Sequence, residues 1–166
     1  MERTKIIKLL KSDNPMDQVL IKGWVRTRRD SKGFSFIEIN DGSSLKNIQV
    51  VADEKLPNYE DVKKLTTGSA LAVNGSLVES KGGGQRWEIQ AQMVEVINLA
   101  PEDFPLQKKR HTDEFLRTIA HLRPRTNKYG AAFRIRSEMA YGIHKFFRDR
   151  GFRYLHSPIL TASDCE

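Results

Sequence analysis

The stretch VLIKGWVRTRR, residues 19–29, alternates in side-chain character as a β-strand does. Val19, Ile21, Gly23 and Val25 fall on one face of such a strand. The opposite face carries Leu20, Lys22, Trp24, Arg26 and Arg28. Alternation of this kind predicts a strand with one face in a core and the other turned outward.

Four more strand-like segments follow, at residues 34–39, 45–51, 70–78 and 86–97. A short helix is predicted for residues 59–65, between the third and fourth strands, and an amphipathic helix for residues 3–11. A closed five-stranded barrel with a helix between strands three and four is the OB arrangement, a fold that binds oligonucleotides. We therefore predict an α+β chain that opens with a five-stranded OB-fold β-barrel.

The character of the sequence changes at Pro101, where a proline-containing and basic linker begins. A helix is predicted for residues 112–121, with Thr112 as its N-cap. A longer amphipathic helix is predicted for residues 127–150, followed by a strand over 152–155. We expect three parts: the OB-fold domain (1–100), a linker and helical hinge (101–127), and the incomplete start of a further domain (128–166).

Composition narrows the class of protein. The chain has 28 Lys and Arg against 21 Asp and Glu, a formal net charge of +7, which favours a polyanionic partner. No apolar run is long enough to cross a bilayer, and no signal peptide is apparent, so we expect a cytoplasmic protein without a membrane partner. The single cysteine, Cys165, forms no disulfide framework, and the four histidines lack the spacing of metal ligands. We therefore expect no metal site.

The second strand is the most informative segment for binding. If Ile37 and Ile39 point into the barrel, Phe34 and Phe36 point outward, where a ring can stack on an RNA base or pack under another part of the chain. The neighbouring strands supply arginine and amide groups: Arg26, Arg28 and Arg29, and Gln49. Strict alternation places Arg29 on the opposite face from Arg26 and Arg28, so a β-bulge or the strand end would have to redirect it.

Several of these segments resemble asparaginyl-tRNA synthetases, which are class II enzymes. GWVRTRRDSK (23–32), FIEINDGS (36–43) and IQVV (48–51) are similar to the anticodon-binding domain of that family. KRH (109–111), FLR (115–117) and AHLRPRTN (120–127) are similar to its hinge. GF (151–152) and SPILTASD (157–164), with Glu166, resemble its motif 1 region, which opens the catalytic domain.

The resemblance implies roles for particular residues. Arg29, Phe36 and Gln49 match the three residues that recognise the central uridine of the anticodon in related barrels, while Arg26 and Arg28 remain alternatives to Arg29. The long helix, with Phe146 and Phe147, and the segment reaching Pro158 match the dimer interface of class II synthetases. Glu166 matches a residue that faces the amino group of the amino-acid substrate.

For the whole protein, the resemblance implies a homodimer that attaches asparagine to tRNA(Asn), using ATP and Mg²⁺ to form asparaginyl-adenylate. We expect these 166 residues to bind tRNA(Asn) by its anticodon loop without catalysing the reaction, because the motif 2 and motif 3 segments are absent. The fragment itself is therefore expected to contain no catalytic residue and no cofactor. The alternative is a free-standing OB-fold RNA-binding module without catalysis, and an aspartyl-type enzyme is a third possibility.

Overall fold

A closed barrel of five strands forms the first part of the chain in the computed structural model, which describes residues 1–157 and residue 160. The strands lie in the order β1-β2-β3-β5-β4, and β4 closes the barrel onto β1. The β3–β5 pair is parallel and the other four pairs are antiparallel. The strands are β1 (Met16–Ser31), β2 (Phe34–Asn40), β3 (Ile48–Asp53), β4 (Ala70–Glu79) and β5 (Trp87–Asn98). The predicted OB-fold barrel is confirmed.

Within the described part of the chain, four α-helices accompany the barrel. Helix α1 (Ile6–Leu10) precedes it, and α2 (Tyr59–Val62) connects β3 to β4. Helix α3 (Asp113–Thr118), a 3₁₀ turn (Arg123–Arg125) and the long α4 (Asn127–Asp149) follow it. The N-caps of α3 and α4 are Thr112 and Thr126, whose hydroxyls accept backbone N–H bonds from the first turn of each helix.

The barrel core consists of inward-facing β-branched and leucine side chains. The alternation predicted for β1 is confirmed as far as Val25, since Val19, Ile21 and Val25 are each at most 1% exposed. Ile37 and Ile39 of β2 are completely buried, so the outward orientation predicted for the intervening side chains is also confirmed. Helices α1 and α2 add Ile6, Leu9 and Val62 to this core.

The prediction of a strand for residues 152–155 is wrong. Residues 152–157 have no regular secondary structure, and their side chains are exposed. A strand is stable only when its backbone N–H and C=O groups are paired along an edge. Among the described residues, no strand pairs with this segment. Pro158 and Glu166 lie outside the described residues.

The loop after β2 holds α1 against the barrel. The Asp41 carboxylate accepts hydrogen bonds from the backbone N–H groups of Ile6 (3.0 Å) and Ser43 (2.9 Å). It also pairs with Arg3 at 3.3 Å, and the Ser43 hydroxyl accepts the N–H of Ile7 at 3.0 Å. Burial alone would raise the pKa of Asp41, but the hydrogen bonds from Ser43 and Ile6 and the charge of Arg3 outweigh it and leave that pKa below its ordinary value.

Replacing Asp41 with Asn is expected to reduce the free energy of unfolding by about 1 kcal/mol at pH 7, because the carboxylate that accepts two backbone N–H groups is removed. The folded-state pKa of Asp41 is depressed, so its stabilisation is complete above the unfolded pKa of about 3.9 and is lost as pH falls through the folded value. Urea unfolding at pH 7 and at pH 3 measures both effects.

The control is Asp17→Asn, which removes an exposed carboxylate from β1. Equal stability of the Asp41→Asn variant and the wild type at pH 7 would show that Asp41 does not hold α1 in place.

Candidate nucleic-acid interface

A β-bulge at Arg26 determines which side chains share the outer face of β1. Val25 lies opposite Ile39, but the next paired residue, Thr27, lies opposite Glu38, so Arg26 is an extra residue in β1. A single inserted residue exchanges the two faces of the strand beyond it. The alternation predicted beyond Arg26 is therefore wrong, and the bulge that Arg29 would need to reach the outer face is present.

Arg29, Phe36 and Gln49 are brought together on this outer face. Arg29 lies opposite Phe36, and its guanidinium carbon is 4.9 Å from the centre of the Phe36 ring. Gln49 lies opposite Glu38, one diagonal step from Phe36. Arg29 is exposed, and the other two side chains are partly exposed. An aromatic face, a cation and an amide are therefore accessible side by side.

Arg28 and Arg26 have other environments. Arg28 lies opposite the buried Ile37, and its Nη1 is 3.4 Å from the carbonyl oxygen of Val62 in α2 and 3.2 Å from Asp30. The Arg26 side chain extends instead towards the 3₁₀ turn, where its Nη1 donates a 2.9 Å hydrogen bond to the carbonyl oxygen of Arg125. Of the three candidate arginines, the structure places only Arg29 beside Phe36.

Sequence reasoning missed Glu88, a buried carboxylate beside Gln49. Glu88 is 5% exposed and lies opposite Gln49 across the parallel β3–β5 pair. Its oxygens accept hydrogen bonds from Gln49 Nε2 (3.2 Å), Ser80 Oγ (2.9 Å) and Gln90 Nε2 (3.0 Å). The first of these bonds orients the Gln49 amide and leaves its carbonyl oxygen and one N–H for a ligand. The only signal in the sequence was an acid between Trp87 and Ile89.

Phe146 and Phe147, the two predicted dimer-interface residues that the structure describes, lie near the C-terminal end of α4. Phe146 and Phe147 are 49% and 47% exposed, and their ring centres are 5.3 Å apart in an edge-to-face arrangement. The guanidinium carbon of Arg150 lies 3.6 Å from the centre of the Phe146 ring. Other large apolar side chains of α4 are exposed as well: Ile135, Met139 and Ile143.

The outer face of β1–β3 has the chemistry for binding an unpaired base. A base can stack on an exposed aromatic ring while amide and guanidinium groups hydrogen-bond to its edge or to phosphate. Within residues 1–157 and 160, no three His, Cys, Asp or Glu side chains are grouped as metal ligands. None of the helices in that part of the chain has the length and apolar character needed to cross a membrane.

Comparison with known proteins agrees with this geometry. Residues 19–97 match the family model of an OB-fold nucleic acid binding domain. The class defined by fold and surface is therefore an OB-fold nucleic-acid-binding protein. Over its whole length the chain is 59% identical to an asparagine–tRNA ligase of Oleidesulfovibrio alaskensis and 55% identical to one of a Nostoc species. The chain spans 36% of the length of each of these relatives.

The chain belongs with the asparaginyl-tRNA synthetases, and it matches their N-terminal anticodon-binding region. Solved structures share the fold: asparaginyl-tRNA synthetase of Pyrococcus horikoshii, complexed with asparaginyl-adenylate, has a TM-score of 0.87 at 23% identity. That match covers 98% of this chain and 38% of the other. An aspartyl-tRNA synthetase of Entamoeba histolytica has a TM-score of 0.77 at 18% identity, and the match covers 98% of this chain and 40% of the other.

Replacing Glu88 with Gln is expected to reduce the free energy of unfolding by about 1–3 kcal/mol, because three donors lose a charged acceptor. The Gln49 side-chain amide should also lose its fixed orientation. Urea unfolding measures the first effect, and line broadening of the Gln49 side-chain amide signals in NMR spectra measures the second. Glu95→Gln, at an exposed position on the same strand, is the control and should change neither. Sharp Gln49 signals in the Glu88→Gln variant would contradict the role of Glu88.

Proposed function

We propose that the outer face of β1–β3 binds the anticodon loop of tRNA(Asn), with the central uridine stacked on Phe36. The observation that carries this proposal is the placement of Arg29, Phe36 and Gln49 on one accessible face by the bulge at Arg26. The OB-fold family match and the relatives named asparagine–tRNA ligases support the same partner. The net charge of +7 favours binding of a polyanion.

In this proposal the uridine edge is recognised by Gln49. Glu88 holds one amide hydrogen of Gln49, so the amide presents one acceptor and one donor to the base. Uridine has a donor at N3 and acceptors at O2 and O4. Its N3–H and one of these oxygens match the acceptor and the donor of the Gln49 amide. Cytidine has an acceptor at N3 and an amino donor at N4, so the same amide orientation opposes it. The Arg29 guanidinium, which lies over the Phe36 ring in the free protein, donates to a base oxygen or to phosphate beside the stacked base.

We propose that the whole-length protein is a cytoplasmic asparagine–tRNA ligase, since all of this chain aligns with relatives that carry this name. Activation of asparagine with ATP and Mg²⁺ belongs to that proposal, and the Pyrococcus horikoshii structure is a complex with asparaginyl-adenylate.

We also propose that α4 forms the dimer interface through its apolar side. Ile135, Met139, Ile143 and Phe146 recur at three- or four-residue steps and are 49–63% exposed. Exposed apolar side chains aligned along a helix are stabilised when a second copy of the same helix covers them. Phe147 adds to this surface at its C-terminal end.

Replacing Ile143 with Asp is expected to weaken self-association of the chain at least tenfold, because a charge would be buried at the interface. Sedimentation velocity over a range of protein concentrations measures the association constant. Tyr141→Asp is the matched control, since Tyr141 is 65% exposed and lies on the other side of α4. A concentration-independent monomer for the unsubstituted chain, or equal effects of the two substitutions, would contradict a dimer interface on this side of the helix.

Titration of the chain with the tRNA(Asn) anticodon stem-loop, at one fixed salt concentration, tests the anticodon proposal. Replacing the central uridine with cytidine is expected to weaken binding by about 1–3 kcal/mol, because the donor and acceptor pattern of the base is reversed. Gln49→Ala should abolish that difference. Phe36→Ala should weaken binding of the uridine loop by about 1–3 kcal/mol through loss of stacking.

The matched control is Phe34→Ala, since Phe34 is also an exposed ring on the outer face of β2, two residues away. This substitution should leave the preference for uridine unchanged. Equal binding of the uridine and cytidine loops by the unsubstituted chain, with an affinity that follows salt alone, would mean that the surface is a general polyanion site.

A further inference from the structure

A cleft lies where the barrel wall meets the start of α4. Its volume is about 550 Å³. Trp24, Arg26 and Asn40 line it from the barrel. Arg125 of the 3₁₀ turn and Arg134 of α4 line it from the other side, and the apolar side chains that complete the lining include Phe104 and Phe133. The cleft thus combines flat apolar surface with three guanidinium groups.

The charges in this cleft are not balanced. No Asp or Glu is among the described residues that line it. Burial lowers the pKa of Arg26, an effect that the charge of Glu38 partly offsets. Burial also lowers the pKa of Arg125, and the neighbouring Arg26 lowers it further. Two like charges held together in a partly enclosed space create a positive potential that an anion would relieve.

The three guanidinium groups retain unused hydrogen-bond donors. Arg26 donates to the carbonyl oxygen of Arg125 at 2.9 Å, and Arg134 donates to the carbonyl oxygen of Gly42. The guanidinium carbon of Arg125 stacks 4.2 Å from the centre of the Trp24 ring. Within the described part of the chain, none of the three arginines forms a salt bridge. Since a guanidinium has five N–H donors, most of them are available to phosphate oxygens.

The cleft continues the outer row of β2 that begins at the proposed base-binding site. Phe36, Glu38 and Asn40 alternate outward along this strand, and Asn40 lines the cleft. At about 3.3 Å per residue, Asn40 lies roughly 13 Å from Phe36. The Glu38 carboxylate between them accepts a 3.1 Å hydrogen bond from the Asn47 amide, so one of its oxygens is already engaged within the barrel. An RNA strand that runs from Phe36 along β2 therefore reaches the cleft within a few nucleotides.

We propose that this cleft binds a nucleotide of the RNA strand that leaves the Phe36 site, an inference that rests on the proposed function. Arg125 and Arg134 hold its phosphate, and its base or ribose lies against the exposed side of Trp24. The site would extend recognition beyond the central base of the loop to the neighbouring backbone, and it would bind that nucleotide through phosphate and apolar contacts without a base-specific code.

The first experiment measures the salt dependence of binding to the anticodon stem-loop. Arg134→Met is expected to make the slope of log K against log salt concentration shallower by about 0.7, the value for one phosphate of a single strand that is no longer neutralised. Arg134→Lys should retain most of the slope, because the charge is kept. Arg136→Met is the matched control, since Arg136 is an exposed residue of the same helix that does not line the cleft. The preference for uridine over cytidine should survive all three substitutions.

The second experiment uses tryptophan emission, because the chain has two tryptophans and only Trp24 is exposed. Trp24 is 39% exposed, whereas Trp87 is 2% exposed. Adding the stem-loop should change the emission of the wild type and not that of the Trp24→Phe variant. A trinucleotide of the anticodon alone, which is too short to occupy both sites, should leave the emission unchanged while still competing for the Phe36 site.

The outcomes separate this inference from the proposed function. If the preference for uridine depends on Gln49 but Arg134→Met and Arg136→Met give the wild-type salt slope, the anticodon proposal stands and the cleft does not hold RNA. The arginines would then be available to a carboxylate of another segment of the protein. If the preference for uridine is absent, the anticodon proposal fails, and a cleft-specific change in slope would identify only a phosphate-binding site.

Discussion

The extra residue in β1 is the feature on which the arrangement of the interface depends. Val25 is the last residue of the strand to follow the alternation that began at Val19, and Arg26 then occupies a position without a partner on β2. Beyond it, every side chain of the strand faces the opposite way from the simple pattern. Without the bulge, Arg29 would point towards the barrel interior, opposite the side of β2 that carries Phe36.

The same bulge connects the barrel to the segment that follows it. Arg26, freed from the strand pairing, reaches the carbonyl oxygen of Arg125, while Arg125 itself stacks on Trp24. These contacts hold the 3₁₀ turn, and with it the start of α4, against the outer wall of the barrel. One backbone irregularity therefore sets both the face that carries Phe36 and the position of the hinge beside it.

Buried polar groups give the outer face its fixed geometry. Glu88 is almost completely shielded from solvent, which is unfavourable for a carboxylate unless hydrogen bonds replace the water. Ser80, Gln90 and Gln49 supply those bonds. The arrangement orients the Gln49 amide before any ligand arrives, so little conformational freedom remains to be lost on binding.

Local patterns in the sequence determined the barrel strands, their buried faces and the N-cap of α3. Alternation places Val19, Ile21, Ile37 and Ile39 in the core because successive side chains of a strand point to opposite sides. Thr112 marks a helix start because its side-chain hydroxyl can accept an unpaired N–H group there. The outward position of Phe36 followed from the same alternation, and the family from the order of several short motifs.

Only the tertiary structure decided which polar groups meet and which backbone groups are paired. The position of the bulge, the contact between Gln49 and Glu88 and the cleft beside Trp24 all depend on partners distant in the chain. The segment after α4 shows the same dependence, since its strand-like pattern is not accompanied by pairing in the described residues. Strand propensity is a local property, whereas register, bulges and pairing are set by the neighbouring strand.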